Sequence, residues 1–185
     1  AEFMSWASEV SGIHDESLDF RGFREQILVA DSNRTEPTGD MTISMWVRLD
    51  RVASRSGEHT LLAYKGHSSS PWFSYMFYQN SADDRLMFGW VDSGGNVAYT
   101  SSSISLSAGQ WYHIAYSKGG SGGKIFIDGV DRTMWSNSHG SSLLDSDAAM
   151  GIGGYYGRYL DGRVDDFRLY NRALSATEMG ELYAW

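Results

Sequence analysis

Aromatic and arginine side chains occur together in two segments of this sequence that are otherwise rich in glycine and serine. Trp72 follows Ser68-Ser69-Ser70-Pro71, and the run Tyr155-Tyr156-Gly157-Arg158-Tyr159 is an aromatic loop with one arginine. Aromatic rings stack on the C–H faces of sugars, and a planar guanidinium group binds hydroxyl or acidic groups through a fork of N–H donors. The sequence therefore predicts a carbohydrate-binding site formed by Trp72, Tyr155, Tyr156, Arg158 and Tyr159.

Two further tryptophans are candidates for the same role. Trp46 projects from its strand on the side opposite the apolar row, beside Arg48, and Trp135 precedes the polar run Ser136-Asn137-Ser138-His139. The alternative for each aromatic residue is packing in the core, because aromatic side chains supply much of the buried area of a domain of this size. Trp46 and Trp135 are therefore predicted ligand-binding residues for which core packing stays open.

Acidic residues and histidines, which would carry out hydrolysis, have unfavourable spacing. Cleavage of a glycosidic bond uses two carboxylates that flank the bond. Outside the N-terminal region only Asp145 and Asp147 are spaced i, i+2, and they lie in a loop. The histidines show no metal-ligand spacing, and His113 lies in an apolar strand, where a packed side chain is the simpler interpretation. We therefore predict no catalytic role.

The charge and composition of the chain narrow the classes of partner. The 185 residues include 15 Lys+Arg and 23 Asp+Glu, and the net charge of −8 argues against nucleic acid as the main partner. Cysteine is absent, which excludes disulfides, thiol nucleophiles and thiolate metal sites. Because no apolar run approaches the roughly 20 residues that a transmembrane helix needs, we also predict no membrane span.

The elements that must position the candidate residues are mostly strands. From Met41 to Leu49 apolar and polar residues alternate with a period of two, which is typical of a strand with one buried face. Asp128-Gly129 separates two apolar runs and is a preferred dipeptide for a tight hairpin. Further strands are predicted at 60–64, 73–78, 86–91, 97–101, 111–117, 124–127, 130–135, 149–152 and 163–170, with loops at 66–70, 93–96, 118–123, 136–142 and 153–157.

One short helix is predicted at the C-terminal end. Ser175-Ala176-Thr177-Glu178 forms a capping box, and Leu174 and Met179 are spaced as its hydrophobic staple. Many short strands with a single helix favour an antiparallel sandwich. Because the opening Ala1-Glu2-Phe3-Met4 is typical of a cloning remnant, we assign residues 1–10 to a remnant or disordered lead and residues 11–185 to one domain.

Five sequence blocks, in this order, resemble the laminin-G-like, concanavalin A-type jelly-roll family. The blocks are 18–22 (LDFRG), 39–47 (GDMTISMWV), 109–115 (GQWYHIA), 125–129 (IFIDG) and 162–175 (GRVDDFRLYNRALS). The resemblance implies an all-β fold, a two-sheet antiparallel jelly-roll sandwich with one short C-terminal helix. It also implies a concave sheet that commonly offers a carbohydrate surface, and a secreted or cell-surface module of a multidomain protein, often attached to a polysaccharide-degrading enzyme.

The resemblance further implies a structural calcium ion. It brings Asp19 near Asp165 and Asp166, where an ion with about six to eight oxygen ligands would tie the N-terminal strand to the C-terminal one. Arg21 stands where many relatives have an aspartate, so that position supplies no carboxylate. The alternative is that Asp165 is a buried acid whose oxygens accept hydrogen bonds from backbone amides or from an arginine. The candidate metal ligands are Asp19, Asp165 and Asp166.

Together these observations predict a noncatalytic carbohydrate-binding module that targets a larger secreted protein to a polysaccharide or oligosaccharide. Covalently attached neighbouring domains would be its other partners. The first alternative is a protein-binding adhesion or interaction module, which would present an exposed apolar patch. The second is a divergent glycoside hydrolase or polysaccharide lyase, which would require a cleft with paired acids or with His and Tyr.

Overall fold

The computed structural model describes residues 8–14, 16–66, 70 and 72–185, and nearly all of its regular structure is strand. The strands are β1 (Ser8–Ser11), β2 (Glu16–Arg21), β3 (Ile27–Val29), β4 (Met41–Leu49), β5 (Thr60–Gly66), β6 (Phe73–Gln79), β7 (Arg85–Val91), β8 (Val97–Ser105), β9 (Trp111–Gly119), β10 (Gly122–Ile127), β11 (Val130–Asp131), β12 (Thr133–Ser136), β13 (Met150–Ile152), β14 (Gly154–Tyr155), β15 (Arg158–Tyr159) and β16 (Asp161–Tyr170). The helices are α1 (Ala53–Ser56) and α2 (Ala176–Ala184). Strand β1 begins inside the segment 1–10 that was assigned to the lead, and residues 1–7 lie outside the described residues.

The strands form two antiparallel sheets of seven strands each and one small hairpin. The first sheet has the order β1-β2-β16-β4-β9-β10-β11, and the second has the order β12-β8-β7-β6-β5-β13-β3. Strands β14 and β15 pair with each other. Buried residues of both sheets share one core, so the predicted two-sheet antiparallel jelly-roll sandwich is confirmed.

Strand β4 lies in the middle of the first sheet and supplies the centre of the core. Its apolar side chains at positions 41, 43, 45, 47 and 49 are fully buried, as their alternation predicts. Burial of each side chain of this size contributes about 1.5–3 kcal/mol. They share the core with aromatic residues of the second sheet, where Phe88 stacks on Tyr116 of the first sheet with ring centroids 3.8 Å apart.

The segment 130–135 differs from its prediction as one strand. Strand β11 pairs with β10 in the first sheet, and β12 pairs with β8 in the second. A single strand over this run was therefore wrong, because the chain passes from one sheet to the other at Arg132. The predicted Asp128-Gly129 hairpin is confirmed, and both residues have positive φ (52° and 73°).

Helix α2 covers the outer face of the first sheet. The predicted capping box is present: the Ser175 hydroxyl oxygen accepts from the Glu178 amide (3.3 Å), and the Ser175 amide donates to the Glu178 carboxylate (2.8 Å). Leu174 and Met179 are buried against Phe126 of the sheet. Among the described residues no helix combines the length and apolar character needed to cross a membrane.

The outer face of the second sheet carries a separate apolar cluster. Its buried members are Leu61, Tyr64, Phe73, Tyr78 and Val91. Tyr155 of β14 packs against this cluster, so the β14–β15 hairpin borders the outer face of the second sheet. This face, and the hairpin beside it, hold most of the residues that were predicted to bind a ligand.

Candidate functional site

The aromatic run 155–159, predicted as a loop, is a tight β-hairpin. Strands β14 and β15 pair directly, which leaves Tyr156 and Gly157 as the two connecting residues, with φ values of 47° and 84°. Turns of this kind favour Asn-Gly, because glycine has no Cβ atom and the short polar side chain of asparagine can hydrogen-bond locally, whereas other side chains are strained at positive φ. Tyr156 is 84% exposed, so that packing does not compensate for the strain, and its position indicates a role at the surface.

Trp72 is a second exposed aromatic residue with a strained backbone. Its φ is 71°, its side chain is 62% exposed, and it lies immediately before β6. The Trp72 carbonyl oxygen accepts a hydrogen bond from the Tyr64 hydroxyl, which fixes the backbone at this point. As with Tyr156, a large apolar side chain is held in solvent by a conformation that is unfavourable for it.

Trp72 and Tyr156 lie on the same cleft. The cleft has a volume of about 510 Å³ and combines aromatic, small and charged side chains. It is lined by Leu61, Tyr64, Gly66, Trp72, Asp147, Ala148, Tyr155, Tyr156 and Arg158. The structure therefore brings together four residues that the sequence predicts for the site, although they come from segments more than 80 residues apart.

Three tyrosine rings form one wall of the cleft. Tyr64 stacks on Tyr155 with centroids 4.5 Å apart and planes inclined by 20°, and Tyr155 meets Tyr156 edge-on at 4.5 Å. Burial, together with the neighbouring Tyr155 and Tyr156, raises the pKa of Tyr64 to about 12. The Tyr64 hydroxyl therefore stays protonated and donates to Trp72, so that it ties the floor of the cleft to its rim.

Among the described residues that line the cleft, Arg158 and Asp147 are charged, and they have opposite signs. Arg158 pairs with Glu58 at 3.6 Å between Nε and Oε2, and both side chains are about half exposed or more. Asp147 is exposed on the cleft. The guanidinium donates hydrogen bonds and the carboxylate accepts them, so the two groups complement the hydroxyls of a ligand whose apolar faces contact the rings.

Tyr159 lies on a smaller polar cavity of about 140 Å³, on which Arg158 also lies. Arg51 and His59 line this second cavity as well, and Arg51 pairs with Asp161 at 2.9 Å. Burial and the neighbouring Arg158 lower the pKa of His59, against a smaller opposite effect of an adjacent glutamate. Arg158 therefore joins the aromatic cleft to the polar cavity.

A row of cross-strand neighbours runs from Tyr64 across the outer face of the second sheet. Tyr64 pairs with Met76, Met76 with Gly89, and Gly89 with Tyr99 along four neighbouring strands. A Cβ atom on Gly89 would lie 2.7 Å from Cε1 of Tyr99, so the Tyr99 ring lies over this glycine. The absence of a side chain at Gly89 thus gives an aromatic ring a place on the sheet surface.

Tyr64 is a site residue that the sequence reasoning missed, and Tyr99 lies on the same outer face beside the apolar cluster. Leu62 and Ala63 are both in the core, because the pairing of β5 with β6 is irregular between Leu61 and Ala63. This bulge turns Tyr64 to the outer face, although strict alternation would place it on the same side as Leu62. The alternation of β8 places Tyr99 on the face opposite to that of its two sequence neighbours. Alternation alone does not show which of the two faces of a strand is the outer one.

Trp46 and Trp135 lie away from the cleft. Trp46 is on the outer face of the first sheet, as the alternation predicts, but it is 9% exposed beneath Tyr183 of α2, with ring centroids 5.6 Å apart. Trp135 is 43% exposed on edge strand β12 and pairs with Ser101. Four strand spacings of about 4.8 Å separate β12 from the Tyr64 strand, which corresponds to roughly 19 Å. Neither residue joins the four that share the cleft.

The Asp165 carboxylate fixes the N-terminal segment through backbone amides. It accepts hydrogen bonds from the amides of Ile13 (2.8 Å), His14 (2.9 Å) and Asp166 (2.7 Å). A Cβ atom on Gly12 would lie 2.5 Å from the carboxylate, so glycine allows this close approach. The sequence left two arrangements open for Asp165, a calcium ligand or a buried acid that accepts hydrogen bonds from backbone amides. The hydrogen bonds observed here are those of the buried acid.

The other two candidate calcium ligands also have partners within the protein. Asp19 pairs with Arg163 at 3.2 Å, and Asp166 pairs with Arg168 at 2.7 Å. Within the described ranges no group of three acidic or histidine side chains converges to hold a metal ion. In this arrangement the carboxylates of Asp19, Asp165 and Asp166 each have partners within the protein. Calcium binding stays a prediction from the sequence.

A sequence-family comparison agrees with this fold. The model of the concanavalin A-like lectin/glucanases superfamily matches residues 23–180 of the chain. No curated protein sequence matches the chain.

Solved structures of the same fold include binding domains. The chain is similar to the binding domain of Paraclostridial Mosquitocidal Protein 1 (18% identity, TM-score 0.78, 98% of this chain and 46% of that one). It is also similar to domain 4 of AbnA, a GH43 extracellular arabinanase from Geobacillus stearothermophilus, in complex with arabinotriose (18%, 0.74, 96% and 81%). A third similar structure is the binding domain of botulinum neurotoxin serotype G (15%, 0.71, 100% and 46%). The chain thus spans less than half of the mosquitocidal and neurotoxin chains, and at these identities the likeness shows the fold.

Proposed function

Because this chain belongs to the concanavalin A-like lectin/glucanases superfamily, we propose that it is a noncatalytic carbohydrate-binding module. Its binding site is the cleft between Trp72 and the Tyr155–Tyr156 hairpin. The ligand is a polysaccharide or an oligosaccharide cut from one. The module holds a larger secreted or cell-surface protein, of which it is one domain, against that polysaccharide.

The observation that carries this proposal is the pair of strained, exposed aromatic residues on one cleft. Trp72 and Tyr156 both have positive φ, and both keep most of their side-chain surface in solvent. Backbone strain of this kind persists only where the surroundings enforce it, and it is concentrated at functional sites. Exposed ring faces beside Arg158 and Asp147 match the alternation of C–H faces and hydroxyls on a sugar.

The acids of the cleft favour binding over hydrolysis. Of the described residues that line it, Asp147 is the single carboxylic acid. Both glycosidase mechanisms need two carboxylates about 5–9.5 Å apart across the bond. A noncatalytic role is therefore the simpler function for this cleft.

Attachment to other domains and an extracellular location are supported by the similar structures. The similar mosquitocidal and neurotoxin chains are each about twice as long as this one and are described as binding domains. The similar arabinanase domain belongs to an extracellular enzyme and holds arabinotriose. We therefore place the chain in the same class of modules, with an attached domain supplying any catalytic activity.

Titration of the domain with neutral and acidic polysaccharides, by affinity gel electrophoresis and calorimetry, tests the proposal. Trp72→Ala and Tyr156→Ala should each weaken binding at least tenfold, because each removes a ring from the cleft. The matched control is Phe23→Ala, at an aromatic residue that is 74% exposed and lies outside the cleft. This control should bind like the wild type.

Two outcomes contradict the proposal. The first is that no polysaccharide in the gel slows the migration of the wild-type domain. The second is that Trp72→Ala and Tyr156→Ala bind as tightly as Phe23→Ala. Thermal melting of each variant shows that it is folded, since all three side chains are largely exposed.

A protein-binding role is the second candidate, and one observation favours it. Val130, Met134 and Trp135 are exposed within six residues on edge strands β11 and β12. Apolar side chains at a sheet edge are a common contact surface for another protein. If Trp135→Ala abolishes capture of a protein from the native host while sugar binding is absent, this second function replaces the first.

A further inference from the structure

Arg158 is the cation that the aromatic cleft and the smaller polar cavity have in common. It lines the 510 Å³ cleft together with Trp72 and Tyr156, and it lines the 140 Å³ cavity together with Arg51 and His59. A sugar stacked in the cleft would thus have one substituent directed toward a guanidinium group.

The hydrogen-bonding capacity of Arg158 is largely unused. Its contact with Glu58, at 3.6 Å, is longer than a hydrogen bond, and in the described part of the chain its side chain has no hydrogen bond. Arg168 and Arg172, by contrast, approach their carboxylate partners at 2.7 Å and 2.6 Å. Ion pairs between exposed side chains contribute little, so a ligand can displace Glu58 from Arg158 with little loss.

The polar cavity adds a second cation and two hydroxyl residues beside Arg158. Arg51 is held at 2.9 Å from Asp161, and the hydroxyl residues Ser56 and Thr60 also line the cavity. The carboxylates of Glu58 and Asp161 balance the two guanidinium groups. An anion that replaces Glu58 would therefore pair with the positive charge of Arg158, which Glu58 neutralises in the unbound protein.

We propose that the ligand of this domain is an acidic glycan, whose anionic substituent pairs with Arg158 while its sugar ring stacks between Trp72 and Tyr156. This inference rests on the proposed carbohydrate-binding function. A carboxylate or a sulfate ester offers two oxygens to the planar fork of an arginine, which a hydroxyl group does not. In the unbound protein the Glu58 carboxylate lies 3.6 Å from Nε of Arg158, and it competes with the ligand for the guanidinium group.

The net charge of the chain does not oppose this short-range contact. The chain carries −8, which repels an anion at a distance. At physiological ionic strength charges separated by more than about 8 Å are largely screened. The contact with Arg158 acts well within that distance, so local pairing dominates the equilibrium while the net charge mainly slows association.

Short oligogalacturonates and their methyl esters test the inference, because they differ in charge but not in sugar ring. The wild-type domain should bind the acid at least tenfold more tightly than the ester. Glu58→Gln should raise the affinity for the acid several-fold and leave that for the ester unchanged. Arg158→Gln should abolish the preference, and Arg158→Lys should retain only part of it because lysine lacks the fork. Arg132→Gln, at an exposed arginine outside both cavities, is the matched control.

A sulfated galactan and its desulfated form provide a second arm that separates the two sources of anion. A preference for the sulfated form that depends on Arg158, with none for galacturonate, supports the inference and assigns a sulfate ester. Equal affinity of the wild type for charged and uncharged forms in both arms, or a preference unchanged by Arg158→Gln, overturns it while leaving the carbohydrate-binding function intact. Binding to no glycan overturns the proposed function itself.

Discussion

Replacing Tyr156 with asparagine should stabilise the domain and weaken its binding at the same time. Tyr156 is the first of the two connecting residues in the β14–β15 hairpin, with φ 47°, and Gly157 follows it. Asn-Gly is the preferred pair for such a turn, whereas a tyrosine there is strained. Tyrosine is thus an unfavourable residue for the folding of this turn. Replacing it separates the contribution of the turn to folding from its contribution to binding.

The expected gain in stability follows from the strain and from the contacts of the side chain. A left-handed conformation costs most residues with a Cβ atom about 1–2 kcal/mol, and asparagine avoids most of this cost because its short polar side chain can hydrogen-bond locally. The tyrosine also makes one edge-on contact, with Tyr155, and an aromatic pair of this kind contributes about 0.5–1.5 kcal/mol when buried. Because Tyr156 is 84% exposed, we take the lower end of that range. The net stabilisation is about 0.5–1 kcal/mol, or a rise in Tm of about 1–4 °C.

Differential scanning calorimetry and glycan titration of the same preparations measure the two effects. The affinity should fall about tenfold, which corresponds to about 1.4 kcal/mol. Asp128→Asn is the matched control, because it places asparagine at the same position of the β10–β11 hairpin, where φ is already 52°. Its amide oxygen can still accept from the His113 amide, as Asp128 does at 2.9 Å. Neither Tm nor affinity should change appreciably in this control.

The reasoning is refuted if Tyr156→Asn lowers Tm while the affinity stays at the wild-type value. That result would mean that the tyrosine stabilises the hairpin and has no part in binding. A fall in both quantities would show that the contact with Tyr155 outweighs the strain, so the stability estimate would be wrong although the binding role would stand.

Three further predictions concern buried polar groups. Lys118 is fully buried and donates to three backbone carbonyls at 2.6–3.2 Å. Lys118→Met should therefore lower the free energy of unfolding, measured in urea, by about 3 kcal/mol. The control Lys124→Met, at an exposed lysine, should change this free energy by less than about 0.5 kcal/mol. Burial lowers the pKa of His113 from 6.5 to about 4, so the unfolded chain binds more protons in this range. Stability should therefore fall by about 2 kcal/mol from pH 7 to pH 5, and His113→Phe should lack this contribution; an equal loss in both proteins would contradict the assignment. Asp165→Ala removes the acceptor of two N-terminal amides, and hydrogen exchange at Ile13 and His14 should become faster; unchanged exchange would show that the carboxylate does not hold the segment.

Much of the scaffold could be predicted because its signals are local. The alternation from Met41 to Leu49, the Asp128-Gly129 turn and the Ser175–Glu178 capping box each depend on residues that are neighbours in the sequence. The prediction of a single strand at 130–135 was wrong because pairing with two different sheets divides that run, and pairing partners are distant in sequence.

The candidate site shows the same division between local and distant information. The sequence by itself determined which segments carry the aromatic residues and Arg158. Only the tertiary structure decided that Trp72 and the hairpin at Tyr156 share one cleft, that Trp46 lies beneath α2, and that a bulge turns Tyr64 into the site. The physical reason is that side-chain periodicity is a property of one strand, whereas strand register, bulges and the covering of a sheet face arise from contacts between distant parts of the chain.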